Sequence, residues 1–210
     1  MSDVSTRYSS RHSWALPNLL TYARIVAVPV VVACIYWESI LGGPLWLRWV
    51  ALAIFIAAGI TDFLDGYFAR IWQQQSEFGQ MLDPIADKLL VSSCLLILSA
   101  DDTIKGWSLW AAVVILCREI LVSGLREYLA GLRVSVPVTR VAKWKTTVQL
   151  VAIGFLLAGD AGNAIMPVRI GPGLVTLVGL VLLWISAVFT LYTGWDYFRA
   201  GLHHLMKDEA

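Results

Sequence analysis

Four aspartates, Asp62, Asp65, Asp83 and Asp87, crowd the stretch from Thr61 to Lys88, among residues typical of membrane helices. A carboxylate at bilayer depth costs about 2.5–3.5 kcal/mol on insertion scales, so four together call for a cation. All-oxygen clusters suit hard ions such as Mg²⁺, Ca²⁺ or Mn²⁺. Mg²⁺ is usually shared between a few carboxylates and substrate phosphates. Two such ions can stabilise the entering and leaving oxygens of a displacement. The chemistry suggested is phosphoryl transfer. Arg70, Arg118, Arg126 and Lys143 are expected at the same depth, and arginine grips phosphate through paired N–H donors. Gly66, directly after Asp65, would let a planar group approach the backbone.

The elements that must position these residues are membrane helices. The chain is 58% hydrophobic and 15% charged, well below the charge of a soluble domain. Continuous apolar runs of about 20 residues predict an all-α polytopic membrane protein rather than a barrel of alternating strands. Six transmembrane helices are expected, near residues 19–37, 45–70, 80–100, 107–129, 144–158 and 174–198. Asp62 and Asp65 are spaced i, i+3, and Asp83 and Asp87 i, i+4, so each pair shares a helix face. The short polar connection at 71–79 makes the two faces antiparallel neighbours. Asn18, Thr21 and Arg24 share one face of the first helix. The stretch GDAGNAIMPVRIGPG reads as a turn-rich loop. Residues 1–16 are polar and are not a cleavable signal. A juxtamembrane helix and a frayed tail are both open readings of them. With no internal repeat, residues 1–210 read as a single domain.

Charge placement orients the helices. Six spans put both termini on one side, with the connections at 71–79 and 130–143. That side gathers Arg7, Arg11, Arg70, Arg133, Arg140, Lys143, Lys145, Arg199 and Lys207, against Arg48, Lys105 and Arg169 opposite. The positive-inside rule then places the termini and the aspartates at the cytoplasmic face of the cell (inner) membrane. Tryptophans near span ends, such as Trp46 and Trp107, read as an interfacial belt. A net charge of +1 gives no reason to expect a nucleic-acid partner. Cys34, Cys94 and Cys117 are isolated in apolar runs and read as small buried hydrophobes. His12, His203 and His204 lie near the termini and read as juxtamembrane polar residues.

The acidic stretch can be written D-x-x-D-G-x-x-A-R-x8-G-x-x-x-D-x-x-x-D, filled by Asp62, Asp65, Gly66, Ala69, Arg70, Gly79, Asp83 and Asp87. It resembles the signature of the CDP-alcohol phosphotransferase family at every fixed position, and the six-span layout is similar over nearly the whole chain. The resemblance implies transfer from a CDP-linked donor to a hydroxyl acceptor, with release of CMP. It implies that Asp62, Asp65 and Asp83 hold Mg²⁺ or Mn²⁺, as two ions, on the donor diphosphate. Asp87 would share the metal and act as general base. Gly66, Ala69, Arg70 and Gly79 would shape the donor pocket.

The stretches PNLLTYARIVAVP, LCREILVSGLREYLA and KWKTTVQ are similar to the branch of that family that joins CDP-diacylglycerol to sn-glycerol 3-phosphate. On that resemblance Arg118, Arg126 and Lys143 or Lys145 are candidates for the acceptor phosphate, without a choice between the two lysines. Asn18, Thr21 and Arg24 would border the site. The family also implies a homodimer among membrane lipids. The site must then open sideways to lipid and downward to water.

Other readings compete. Within the family, serine, inositol phosphate or a second phospholipid could be the acceptor. Intramembrane carboxylates also mark divalent-cation or proton-coupled transporters and aspartyl proteases. The transporter reading is weakened by the one-sided acidic cluster and the missing repeat. The aspartates could instead fix helix packing through Arg70 and Lys88, but two cations do not neutralise four carboxylates. Glu119 and Glu127 could be structural partners of Arg118 and Arg126.

Overall fold

The computed structural model describes the backbone of residues 16–72, 77–131, 140–166 and 171–208, with side chains at 21–61, 82, 84–129, 144–166 and 171–195. Six helices make up this part: α1 (Leu16–Ser39), α2 (Trp46–Trp72), α3 (Glu77–Ala100), α4 (Ser108–Gly131), α5 (Arg140–Ile165) and α6 (Leu174–Asp208). The polar N-terminal stretch expected over 1–16 lies outside the described residues save for Leu16, which opens α1.

Among the described residues four helical stretches are long and apolar enough to cross a membrane: Thr21–Ser39, Ser108–Leu129, Trp144–Ile165 and Leu174–Trp195. At 1.5 Å per residue each spans about 30 Å, the thickness of the hydrocarbon layer. In α2 the apolar part among the described side chains is Trp46–Thr61.

Helix α1 packs against α2 and α3, α2 against α5, and α4 and α5 against α6. Ile35, Phe55, Leu95, Leu98, Ile115, Ile153 and Leu156 fill the centre. Many large apolar side chains instead face outward, among them Ile56, Leu96, Ile120, Val188 and Leu191. Helices apolar on all sides suit a solvent of lipid, not water.

One end of the bundle is closed by buried charge. Arg48, at the start of α2, donates from Nε to Glu38 Oε2 at 2.7 Å and from Nη2 to Asp101 Oδ2 at 2.6 Å. The arginine side chain is 2% exposed and that of Asp101 0%. Asp101 Oδ1 also accepts from the Thr103 backbone N–H at 2.9 Å, which shapes the turn after α3. The α1 end, the α2 start and the α3 end are thereby tied to one guanidinium.

The fifth helix runs past the expected end at 158. It breaks at Gly159 (φ 36°, ψ −120°) and resumes to Ile165. A Cβ at Gly159 would lie 2.5 Å from Arg48 Nη1, so both the left-handed backbone and the close approach require glycine. Gly159, Asp160, Gly162 and Asn163 have turn-forming character and read as loop, but residues 159–165 are helical. Asn163 accounts for its length. Its Oδ1 accepts from the Val175 N–H at 2.9 Å and its Nδ2 donates to Thr176 Oγ1 at 2.8 Å. It thus caps the first turn of α6 from across the connection.

Candidate active site

The site is assembled at the end of the bundle opposite Arg48. Asp62, Asp65, Gly66, Ala69 and Arg70 fall in the second half of α2, and Gly79, Asp83 and Asp87 in the first half of α3. Both helices are unbroken through these positions, so the i, i+3 and i, i+4 spacings keep each pair on one face. Of these eight residues only Asp87 lies within the described side chains, and it is half-buried. Among the described residues no three His, Cys, Asp or Glu side chains come together.

Pro84 lies inside α3 and removes one backbone donor there. Lys88 turns back along its own helix, and its Nζ donates to the Pro84 carbonyl at 3.1 Å. The lysine is therefore bonded to backbone, not to a described carboxylate. Thr61 Oγ1 likewise donates to the Ala58 carbonyl, at 2.8 Å.

Two cations from other helices, Arg118 and Lys145, meet at one carboxylate. On α4, Arg118 donates from Nη2 to Thr193 Oγ1 of α6 at 3.0 Å and from Nη1 to Glu119 Oε1 at 3.4 Å. On α5, Lys145 Nζ donates to the same Glu119 oxygen. Lys145 is buried, and Asp87 is close enough for its charge to act on it. Thr193 Oγ1 donates to the Phe189 carbonyl at 2.9 Å, so the hydroxyl is fixed as an acceptor for Arg118. Gly194 leaves room for the arginine stem: a Cβ there would lie 3.1 Å from Arg118 Cγ.

The candidate residues are thus partly brought together. Arg118 and Lys145 share the Glu119 carboxylate. Arg126 is exposed, eight residues along α4 from Arg118, about 12 Å of helix rise. Thr21 and Arg24 are buried on one face of α1, and Asn18 and Lys143 lie outside the described side chains. Glu119 was legible as a neighbour of Arg118. Thr193 and Gly194 carried no signal, because a threonine and a glycine in an apolar helix look like many others.

An apolar groove of about 700 Å³ runs between α2 and α5. It extends from Trp49 to Ile60, the second residue before Asp62. Gly59 and Gly154 line it, and a Cβ at Gly59 would meet nothing within 4 Å.

Comparison with known proteins bears on the family. A family model described as CDP-alcohol phosphatidyltransferase matches residues 14–192. A protein of Cereibacter sphaeroides is 42% identical over 94% of this chain and 99% of its own length. One of Rickettsia felis is 43% identical over 88% of this chain and 94% of its own, and one of Pectobacterium atrosepticum 36% over 91% and 97%. All three bear the name CDP-diacylglycerol--glycerol-3-phosphate 3-phosphatidyltransferase. With the signature filled, the helices in place and the family model covering most of the sequence, this chain belongs to the CDP-alcohol phosphatidyltransferase family.

Proposed function

We propose that this protein transfers the phosphatidyl group of CDP-diacylglycerol to sn-glycerol 3-phosphate, giving phosphatidylglycerophosphate and CMP. The names of its relatives support both substrates. The observation that carries the acceptor is the meeting of Arg118 and Lys145 at one oxygen of Glu119, with Asp87 near enough for its charge to act on Lys145. Two cations next to the base suit an acceptor with a phosphate at one end and a hydroxyl at the other. On this reading Lys145 binds the acceptor phosphate with Arg118, and Lys143 and Arg126 are outer contributors that draw the anion in.

Asp87 takes the proton from the acceptor hydroxyl. The freed oxygen attacks the phosphorus that bears the diacylglycerol. The bond from that phosphorus to the bridging oxygen breaks, and CMP leaves with the electron pair. Gly66, Ala69, Arg70 and Gly79 shape the cytidine and diphosphate pocket, while Asn18, Thr21 and Arg24 border it. The α2–α5 groove offers lipid chains a path to the signature. Asp62, Asp65, Asp83 and Asp87 would hold Mg²⁺ or Mn²⁺, as two ions. The donor set fits: hard oxygens in same-face pairs on unbroken helices, with Lys88 occupied by the Pro84 carbonyl. When bound, such ions neutralise the diphosphate and the departing CMP.

This reading includes six membrane spans, both termini and the site at the cytoplasmic face of the inner membrane, a single domain over 1–210 and a homodimer. The basic residues gathered on one side support the orientation. The test is CMP release by the purified protein given CDP-diacylglycerol and Mg²⁺ or Mn²⁺. Release should depend on sn-glycerol 3-phosphate, stop with chelator and return with the ion. Release with serine, inositol phosphate or a phospholipid instead would move the protein elsewhere in its family.

A further inference from the structure

Glu119 is a carboxylate that the proposed transfer does not use. One of its oxygens, Oε1, accepts from Lys145 Nζ and lies 3.4 Å from Arg118 Nη1. Its two partners are held differently. Arg118 has a second anchor on α6, through Thr193 Oγ1 at 3.0 Å. The Lys145 side chain is only 5% exposed, and among the described residues it pairs with Glu119.

A single carboxylate oxygen between two cations takes the donors that a phosphate oxygen would take. In the empty site its charge offsets the cost of keeping two cations side by side away from water. Once a phosphate is present, the same charge repels it at short range in a medium of low dielectric. The 3.4 Å contact to Arg118 is the weaker of the two and is the one a phosphate would displace first.

We infer that Glu119 is a positioning residue that occupies the phosphate-binding cations before the acceptor arrives and competes with the acceptor phosphate for them. This rests on reading Arg118 and Lys145 as ligands of that phosphate. The product keeps the same phosphate monoester, so the returning carboxylate also helps to expel it. Glu119 thereby trades acceptor affinity for turnover. It also keeps stray phosphate from settling on Arg118 and Lys145.

The test is steady-state kinetics of the purified full-length protein, with inorganic phosphate as a probe of the empty site. Glu119→Gln keeps an acceptor for Lys145 but loses the charge. It should lower the KM for sn-glycerol 3-phosphate about ten-fold, as expected for removing one like charge a few ångströms away. The inhibition constant of inorganic phosphate should fall in parallel, and kcat should fall as release slows. Glu119→Asp, one methylene shorter, gives up the Arg118 contact first and should lower both constants by an intermediate amount. That variant also carries the test if Glu119→Gln does not fold. A raised or unchanged acceptor KM with an unchanged phosphate constant, in the folded variants, overturns the inference and leaves Glu119 a packing residue. If the parent protein releases CMP only with an acceptor lacking phosphate, the functional reading fails first and takes this inference with it. The two failures are therefore seen in different proteins.

Discussion

Arg118 owes its orientation to a hydroxyl on another helix. Thr193 donates its own proton to the Phe189 carbonyl and so presents only lone pairs to the guanidinium. A charge-assisted contact to phosphate contributes about 1.5–3 kcal/mol. Arg118→Ala should therefore raise the acceptor KM roughly ten- to hundred-fold while moving the donor KM little. Equal effects on both substrates, measured by varying each at saturation of the other, would make Arg118 a packing residue. The signature aspartates were legible from spacing alone, because helix periodicity turns i, i+3 and i, i+4 into a shared face. The part played by Thr193 was not, because it depends on α6 crossing α4 at that level.

At the scale of elements, α2 carries opposite tasks at its two ends. Arg48 ties α1, α2 and the turn after α3 at one end, and the signature begins at Asp62 near the other. Arg48→Met would leave Glu38 and Asp101 without their shared cation. Breaking a buried pair in this way costs about 3–5 kcal/mol. Thermal unfolding in detergent should show a clear drop in Tm, with KM for both substrates near the parent value in the protein that remains folded. Between these ends the groove along α2 and α5 is kept open by Gly59. Gly59→Trp should fill it and raise the donor KM well above the acceptor KM, and the opposite split would show that lipid chains take another path. The break in α5 belongs to this scale as well. Gly159 reads as the start of a loop, but Arg48 accounts for its backbone and Asn163 for the helix that continues beyond it.

For the whole molecule the question is direction across the membrane. The proposed acceptor is soluble and the donor is a lipid, so the site must sit at one face and open to both. With six spans, the basic residues would gather on the side of the termini. A single cysteine placed at Lys207 of a cysteine-free variant should react with a membrane-impermeant reagent only after the cytoplasmic face is exposed. One placed at Lys105 should react from outside in sealed cells. The reverse pattern would overturn the orientation.

Helix number, class and the acidic family signature followed from the sequence itself, because hydrophobic length and helical spacing are local properties of the chain. So did the short list of cations proposed for the acceptor phosphate. Tertiary structure decided which of them meet. It brought Lys145 and Arg118 to one oxygen of Glu119, beside Asp87, and put Arg126 farther along α4. It also made residues 159–165, read as loop, a helix that continues past a break at Gly159 beside Arg48. The reason is the same in each case: a contact between side chains from different helices depends on crossing and register, and neither is written in any one segment.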